Sequence, residues 1–314
     1  MSDQENKDPI ATGTVDLVGH VVLGDARLVP PADVTNLIMK AATDQGRWIE
    51  TFTSQIGPAR ARFRSTYFHW AMSINGLHIA AERYASKEWQ TGHGDFIITG
   101  LRPPDPRAVL ASWPGDEAAE AHEATLPKMA AWGYIELYAA LESSIFDFFR
   151  AYWELHPDGL IRGPDFREIR RLKRAAEAED ADEAAVTAWR EAWSARLDGW
   201  HRKKLYDGLH RVFLSFCSET GLKTPSKYQH TTIDTWAETI EGLGLLRHLL
   251  IHGEQTVPDE LETFCAKPHS MSFDFKAGDP LRVDLFHLQA FELFTDQLLN
   301  GLNLSAAEHP DAGA

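Results

Sequence analysis

Between residues 63 and 84 large apolar side chains recur at alternating four- and three-residue steps: Phe63, Tyr67, Trp70, Ile74, Leu77, Ala81 and Tyr84. At about 3.6 residues per turn that spacing keeps all of them on one face of a single long helix. A strand would send alternate residues to opposite faces. A stripe of this length must be covered by other helices, so the chain is constrained towards a helical assembly. Later segments repeat the pattern. Thr125 reads as the cap of a helix with Pro127 in its first turn, carrying Trp132, Ile135, Leu141, Ile145, Phe148, Phe149 and Trp153. It ends at His156-Pro157-Asp158-Gly159. A second helix is predicted from Phe166 to about Ala178. A third runs from near Asp182 towards Gly221, with Gly199 and Gly208 as bending points. A fourth spans Thr231 to His252, and a last one Asp284 to Leu302.

Strand signals are few. Thr14 to Leu23 and Asp95 to Thr99 read as short strands. Ser272 to Lys276 and Leu281 to Val283 read as a hairpin around Ala277-Gly278-Asp279-Pro280. Ala32 to Ile56 is predicted to be a helix or helix pair that Gly57-Pro58 stops. Pro103, Pro104, Pro106 and Pro114 make the stretch from Leu101 to Glu117 the best linker. The class is mostly α with minor β. Residues 1–120 form a mainly helical extension of unstated role, 125–303 a helical domain, and 304–314 a flexible tail.

Composition narrows the function. The 314 residues hold 31 Lys+Arg against 46 Asp+Glu, a formal charge of −15, which disfavours indiscriminate binding to nucleic acid or anionic lipid. Two cysteines, Cys217 and Cys265, give neither a disulfide framework nor a cysteine-based zinc site. No apolar run is long enough to span a bilayer, and the polar start MSDQENKDPI is unlike a signal peptide. A cytoplasmic protein with no membrane association is expected.

The fourth helix breaks its own pattern. Ile233, Trp236, Ile240, Leu243 and Leu250 form an apolar stripe, and Arg247 stands on it. A guanidinium there is costly unless it meets a partner, a cleft or another subunit. His252 follows five residues later, with Gly253 as a C-cap. An ordinary buried salt bridge, with charges favoured by the last turn of the helix, would produce the same pair.

The string Arg247-His248-Leu249-Leu250-Ile251-His252 resembles the signature of the HEPN superfamily: an Arg, a polar residue after it, and a His about five positions on. Its place on a late helix of a helical domain, with one helix behind it, is similar too, so the resemblance implies a HEPN-like up-down bundle over 125–303. It further implies a metal-independent endoribonuclease without a cofactor. Cleavage of RNA by its 2′-OH needs a base, an acid, and positive charge for the phosphorane oxygens. A histidine titrating near neutrality suits a proton role, here His252. Arg247 would grip phosphate bidentately, and His248 would orient the pair. Positions 247 and 252 point about 140° apart on a regular helix, so one chain does not form a compact site. A homodimer with the site at its two-fold interface is the expected solution. Toxin or antiphage-defence roles, and a cognate antitoxin or regulator as partner, follow from the resemblance alone. In the branch regulated by nucleotidylation a Tyr sits two residues after the His, where this chain has Glu254. The alternative is a non-catalytic helical module that binds RNA or a protein partner.

Other motifs are weaker. Arg167, Arg170, Arg171, Lys173 and Arg174 crowd the second helix as a candidate RNA track, with Arg202, Lys203 and Lys204 a smaller cluster. His248 and His252 have i,i+4 metal spacing, but no Glu stands at 249 and Arg247 opposes a cation. Gly242 and Gly244 fit close helix packing rather than a dinucleotide loop. Tryptophans 132, 153, 189, 193, 200 and 236 are expected in the core.

Overall fold

A computed structural model describes residues 36–103, 107–267, 271 and 273–313. Two long helices form its spine: α1 (Trp48–Ala85) and α3 (Gly115–Leu155). They run antiparallel, because the rings of Trp48 and Tyr152 lie 5.5 Å apart at one end and those of Tyr84 and His122 4.9 Å apart at the other. Between them come the short α2 (Lys87–Gly92) and an antiparallel hairpin of β1 (Phe96–Gly100) and β2 (Ala108–Trp113). After α3 the chain forms α4 (Arg167–Ala176), α5 (Glu183–Lys204), α6 (Leu209–Thr220), α7 (Ile233–His252), α8 (Asp259–Cys265) and α9 (Leu285–Ala307). The protein is therefore mostly helical with a small β-hairpin.

The core is aromatic and continuous. Phe52 of α1 meets Phe148 of α3 at 5.0 Å and Phe216 of α6 at 5.5 Å. Phe63 of α1 meets Phe291 of α9 at 5.4 Å. Buried rings of this size bring the largest apolar area per residue, which fixes the order of packing around α3. Polar links reinforce it at the rim: Arg60 and Arg64 of α1 both hold Asp296 of α9, at 2.6 and 2.9 Å.

Several expectations need correction. Gly57-Pro58 does not stop a helix; α1 begins at Trp48 and runs through it. The carbonyl of Ser54, which Pro58 cannot serve, belongs to an exposed residue, while Trp48, Ile49, Phe52 and Ile56 are buried ahead of the proline. Thr125 is not a cap either, since α3 starts ten residues earlier at Gly115 and the Thr125 hydroxyl donates within the helix to the Ala121 carbonyl. The proline-rich stretch is no linker, because β2 returns there to pair with β1. The boundary expected between 120 and 125 falls inside α3, and Trp48 to Phe63 share one core with α6, α7 and α9.

Near the C-terminus, Gly278 does turn the chain, at φ 87°, but its partner strand is not 272–276. Val257 donates to the Asp279 carbonyl and accepts from Gly278, and Leu281 donates to Gln255. Phe273 and Phe275 are instead buried, and both their rings lie 4.9 Å from that of His287. Nor are the described residues of the expected tail, 304–313, loose. Residues up to Ala307 are helical, Ala42 donates to the Asp311 carbonyl at 2.8 Å, and Gly313 donates to Lys40 at 2.7 Å. Backbone hydrogen bonds hold this segment, which its small polar side chains did not announce. Trp132 is 63% exposed, outside the core. The expected strand at 14–23 lies outside the described residues.

No helix among the described residues is long and apolar enough to cross a membrane.

Candidate functional site

Helix α7 is fixed at both ends by its own sequence. Thr232 and Thr235 form a reciprocal capping box at its start. At its end Gly253 adopts φ 72°, and its N–H reaches the Leu249 and Leu250 carbonyls. Trp236, Ile240, Leu243 and Leu246 are buried along its inner face. Two glycines let neighbours in close. A side chain at 242 would overlap the Phe264 ring of α8, and one at 244 would come within 2.9 Å of the Tyr138 hydroxyl of α3. Close packing is thus the role of both.

That approach brings Tyr138 beneath Arg247. The guanidinium carbon sits 5.7 Å from the centre of the Tyr138 ring, a cation–π contact. Arg247 is half-buried, and among the described residues it has no ion pair and no hydrogen bond. Glu142, one turn along α3, lies in the same field. Burial pushes its carboxyl above the ordinary carboxylate range, while Arg247 and His201 of α5 pull it back down. Burial also raises the Tyr138 phenol, with the Glu142 charge adding to the rise and Arg247 opposing it. An arginine resting on a ring rather than on a carboxylate keeps its donors for an incoming anion.

The two histidines face elsewhere. His248 and His252 are exposed, and their rings lie 4.3 Å apart at 54° on the outer side of the last turn. The chain therefore brings His248 and His252 together and leaves Arg247 on the α3 side, as the helical geometry requires. Among the described residues no cluster of three His, Cys, Asp or Glu side chains could hold a metal ion.

The basic helix α4 presents less charge than its sequence. Arg170 is half-buried and donates to the Ile161 and Gly163 carbonyls, both at 2.6 Å. Arg171 pairs with Glu168 at 2.6 Å, and Lys173 pairs with Asp158 at 2.8 Å. Arg174 donates to the Arg170 carbonyl at 3.4 Å. Arg167, Arg171 and Arg174 do share an exposed face, and Ile169 packs against the core.

Sequence reasoning missed Tyr138, Glu142 and His201. Only the four-residue step from Tyr138 to Glu142 hinted at a shared face, and nothing local tied α3 or α5 to Arg247. The chain matches no family model, no curated protein and no solved structure.

Proposed function

We propose that the protein is a metal-independent endoribonuclease of HEPN type. The observation that carries this reading is Arg247, a half-buried guanidinium propped on Tyr138 with no ion pair or hydrogen bond among the described residues. Such a group is expensive to maintain unless an anion occupies it, and a phosphodiester is an anion that a guanidinium grips with two parallel bonds. In this reading Arg247 holds the scissile phosphate and stabilises the charge of the phosphorane. His252 performs proton transfer, and His248, against its ring, orients it. Because Arg247 and His252 diverge around α7, a second copy of the chain would complete the arrangement, which makes a cytoplasmic homodimer part of the proposal. RNA would reach the site along Arg202 and the free face of α4, chiefly Arg167 and Arg174.

The experiment is cleavage of a single-stranded RNA in the presence of EDTA. Activity that persists in chelator and falls by about 100-fold in Arg247→Ala and in His252→Ala is the expected result. Equal cleavage by wild type and both variants sinks the reading. The second reading, a non-catalytic module that binds RNA or a protein, draws on the exposed Trp132, whose ring would stack on a base or dock against a partner. RNA binding without cleavage by the wild-type chain would select it. Action as a toxin or defence effector, with a cognate antitoxin or regulator, belongs to the same proposal and is tested by growth arrest on expression.

A further inference from the structure

Helix α3 carries Tyr138, Glu142 and Phe146 at four-residue steps, and therefore on one face. Arg247 lies over the first ring of this row, and His201 of α5 stacks on the last, with centroids 4.2 Å apart and planes at 18°. Glu142 stands between the two, within electrostatic reach of both and, among the described residues, ion-paired with neither. The ring nitrogens of His201 have no hydrogen-bond partner among the described residues, and the side chain borders an open cavity with Asp198 and Arg202. Asp198 is itself held by Arg150 at 3.2 Å. The stack on Phe146 fixes the plane of the imidazole while the cavity leaves it accessible. The histidine is fixed one turn from Glu142, whose charge reaches it without a hydrogen bond, and Arg247 lies over the other end of the same row, so the carboxylate can act on the imidazole through its charge.

We propose that His201 is the base of the ribonuclease site, with Glu142 as the positioning residue that stabilises the imidazolium it becomes. This rests on the ribonuclease reading above and supplies what that reading lacks, a proton acceptor on the same side of α7 as Arg247. The ribose 2′-oxygen gives its proton to His201 and its electron pair to phosphorus, forming the 2′-O–P bond. The P–O5′ bond breaks, and the leaving oxygen takes a proton from the imidazolium of His252 of the partner subunit, which the dimer of the proposed function brings in. The products are a 2′,3′-cyclic phosphate and a 5′-hydroxyl, with no oxidant, reductant or metal required.

The test measures kcat and KM for a single-stranded RNA in EDTA, using the full chain. His201→Ala is expected to lower kcat by about 100-fold with KM little changed, and added imidazole to restore part of the loss by replacing the missing base. Glu142→Gln is expected to lower kcat by about tenfold at unchanged KM, a split that a purely structural residue would not give. Should His201→Ala fail to fold, His201→Gln offers the same reading: lost kcat with a normal melting transition supports the assignment. Wild-type kcat in a folded His201 variant overturns it, as does a loss in folded His201→Ala that imidazole leaves untouched. An active wild type with an active His201→Ala sinks this assignment alone. A wild-type chain that leaves RNA intact sinks the ribonuclease reading, and the assignment with it.

Discussion

The two most cationic-looking features of this chain differ in what they leave available. Helix α4 packs five cations into eight positions, yet Arg170, Arg171 and Lys173 are spent on carbonyls or carboxylates of the same neighbourhood. Helix α7 offers one guanidinium on an apolar stripe, and it rests on a ring instead of a counter-ion. Local charge density invites local neutralisation: Arg171 and Lys173 find an acid within reach, Arg170 finds two carbonyls, and Arg167 and Arg174 stay without an acid among the described residues. Arg247, which breaks a buried pattern, has Glu142 within electrostatic reach but no ion pair among the described residues, so its charge is kept for another reason. Availability, not number, separates the two helices.

The sharpest way to test that contrast is to remove one leucine from each. Leu246 of α7 has no exposed surface, whereas Leu172 of α4 is only half-buried. Leu246→Ala is expected to cost about 3 kcal/mol in urea unfolding, with Leu172→Ala well under half of that. Equal costs would place α4 in the core and remove the reason for treating it as a surface helix. The second comparison is functional. Arg247→Ala is expected to lower RNA cleavage by about 100-fold, and Arg171→Ala to leave it within about twofold. Reversed effects would make α4 the anion-binding element.

The sequence marked Arg247 but not the neutralisation of α4, whose Arg170, Arg171 and Lys173 it offered as an RNA track; of the fold it told more. The aromatic step pattern of α1 predicts its long helix, and the Thr231 to His252 boundaries fall within two residues of α7, because caps and periodicity are local signals. Prolines were misread for a local reason. Pro58 and Pro127 remove one hydrogen bond each, and tertiary burial on either side outweighs that loss. The hairpin turn at Gly278 was visible, but its partner at 255–257 was not, since strand pairing is a relation between distant segments. The site divided likewise. Arg247 stood out from pattern alone, and the spacing already told that His252 would diverge from it. Glu142 and His201 joined the candidate site only when α3 was placed beside α7 and α5 beside α3.

A smaller effect probes how α7 keeps its position. The Phe264 ring of α8 occupies the space where a Cβ at 242 would stand. Gly242→Ala is expected to destabilise by roughly 2 kcal/mol through overpacking, and to lower cleavage only as far as it shifts Arg247 off Tyr138. An unchanged melting temperature would mean that α8 yields freely, and that Arg247 is placed by Tyr138 alone.

The smallest expected change is also the most diagnostic, because stability and activity should move in opposite directions. Burial holds the Glu142 carboxyl above its ordinary range, and Arg247 and His201 offset that only in part. The folded chain thus binds this proton more tightly than the unfolded chain does. Where both states are protonated, at low pH, the group costs nothing. As the pH rises through the carboxylate range, ionising it in its half-buried place costs stability, and the cost persists at neutrality. Glu142→Gln removes that cost, so its melting temperature near pH 7 is expected to exceed wild type by roughly 1–2 °C after allowance for solvent screening. The difference should vanish as the pH falls below the carboxylate range, while cleavage by the variant stays reduced. A variant that loses both stability and activity at neutral pH would show Glu142 to be an ordinary structural counter-charge for Arg247. The contrast drawn between α4 and α7 would then collapse, since both helices would have neutralised their cations.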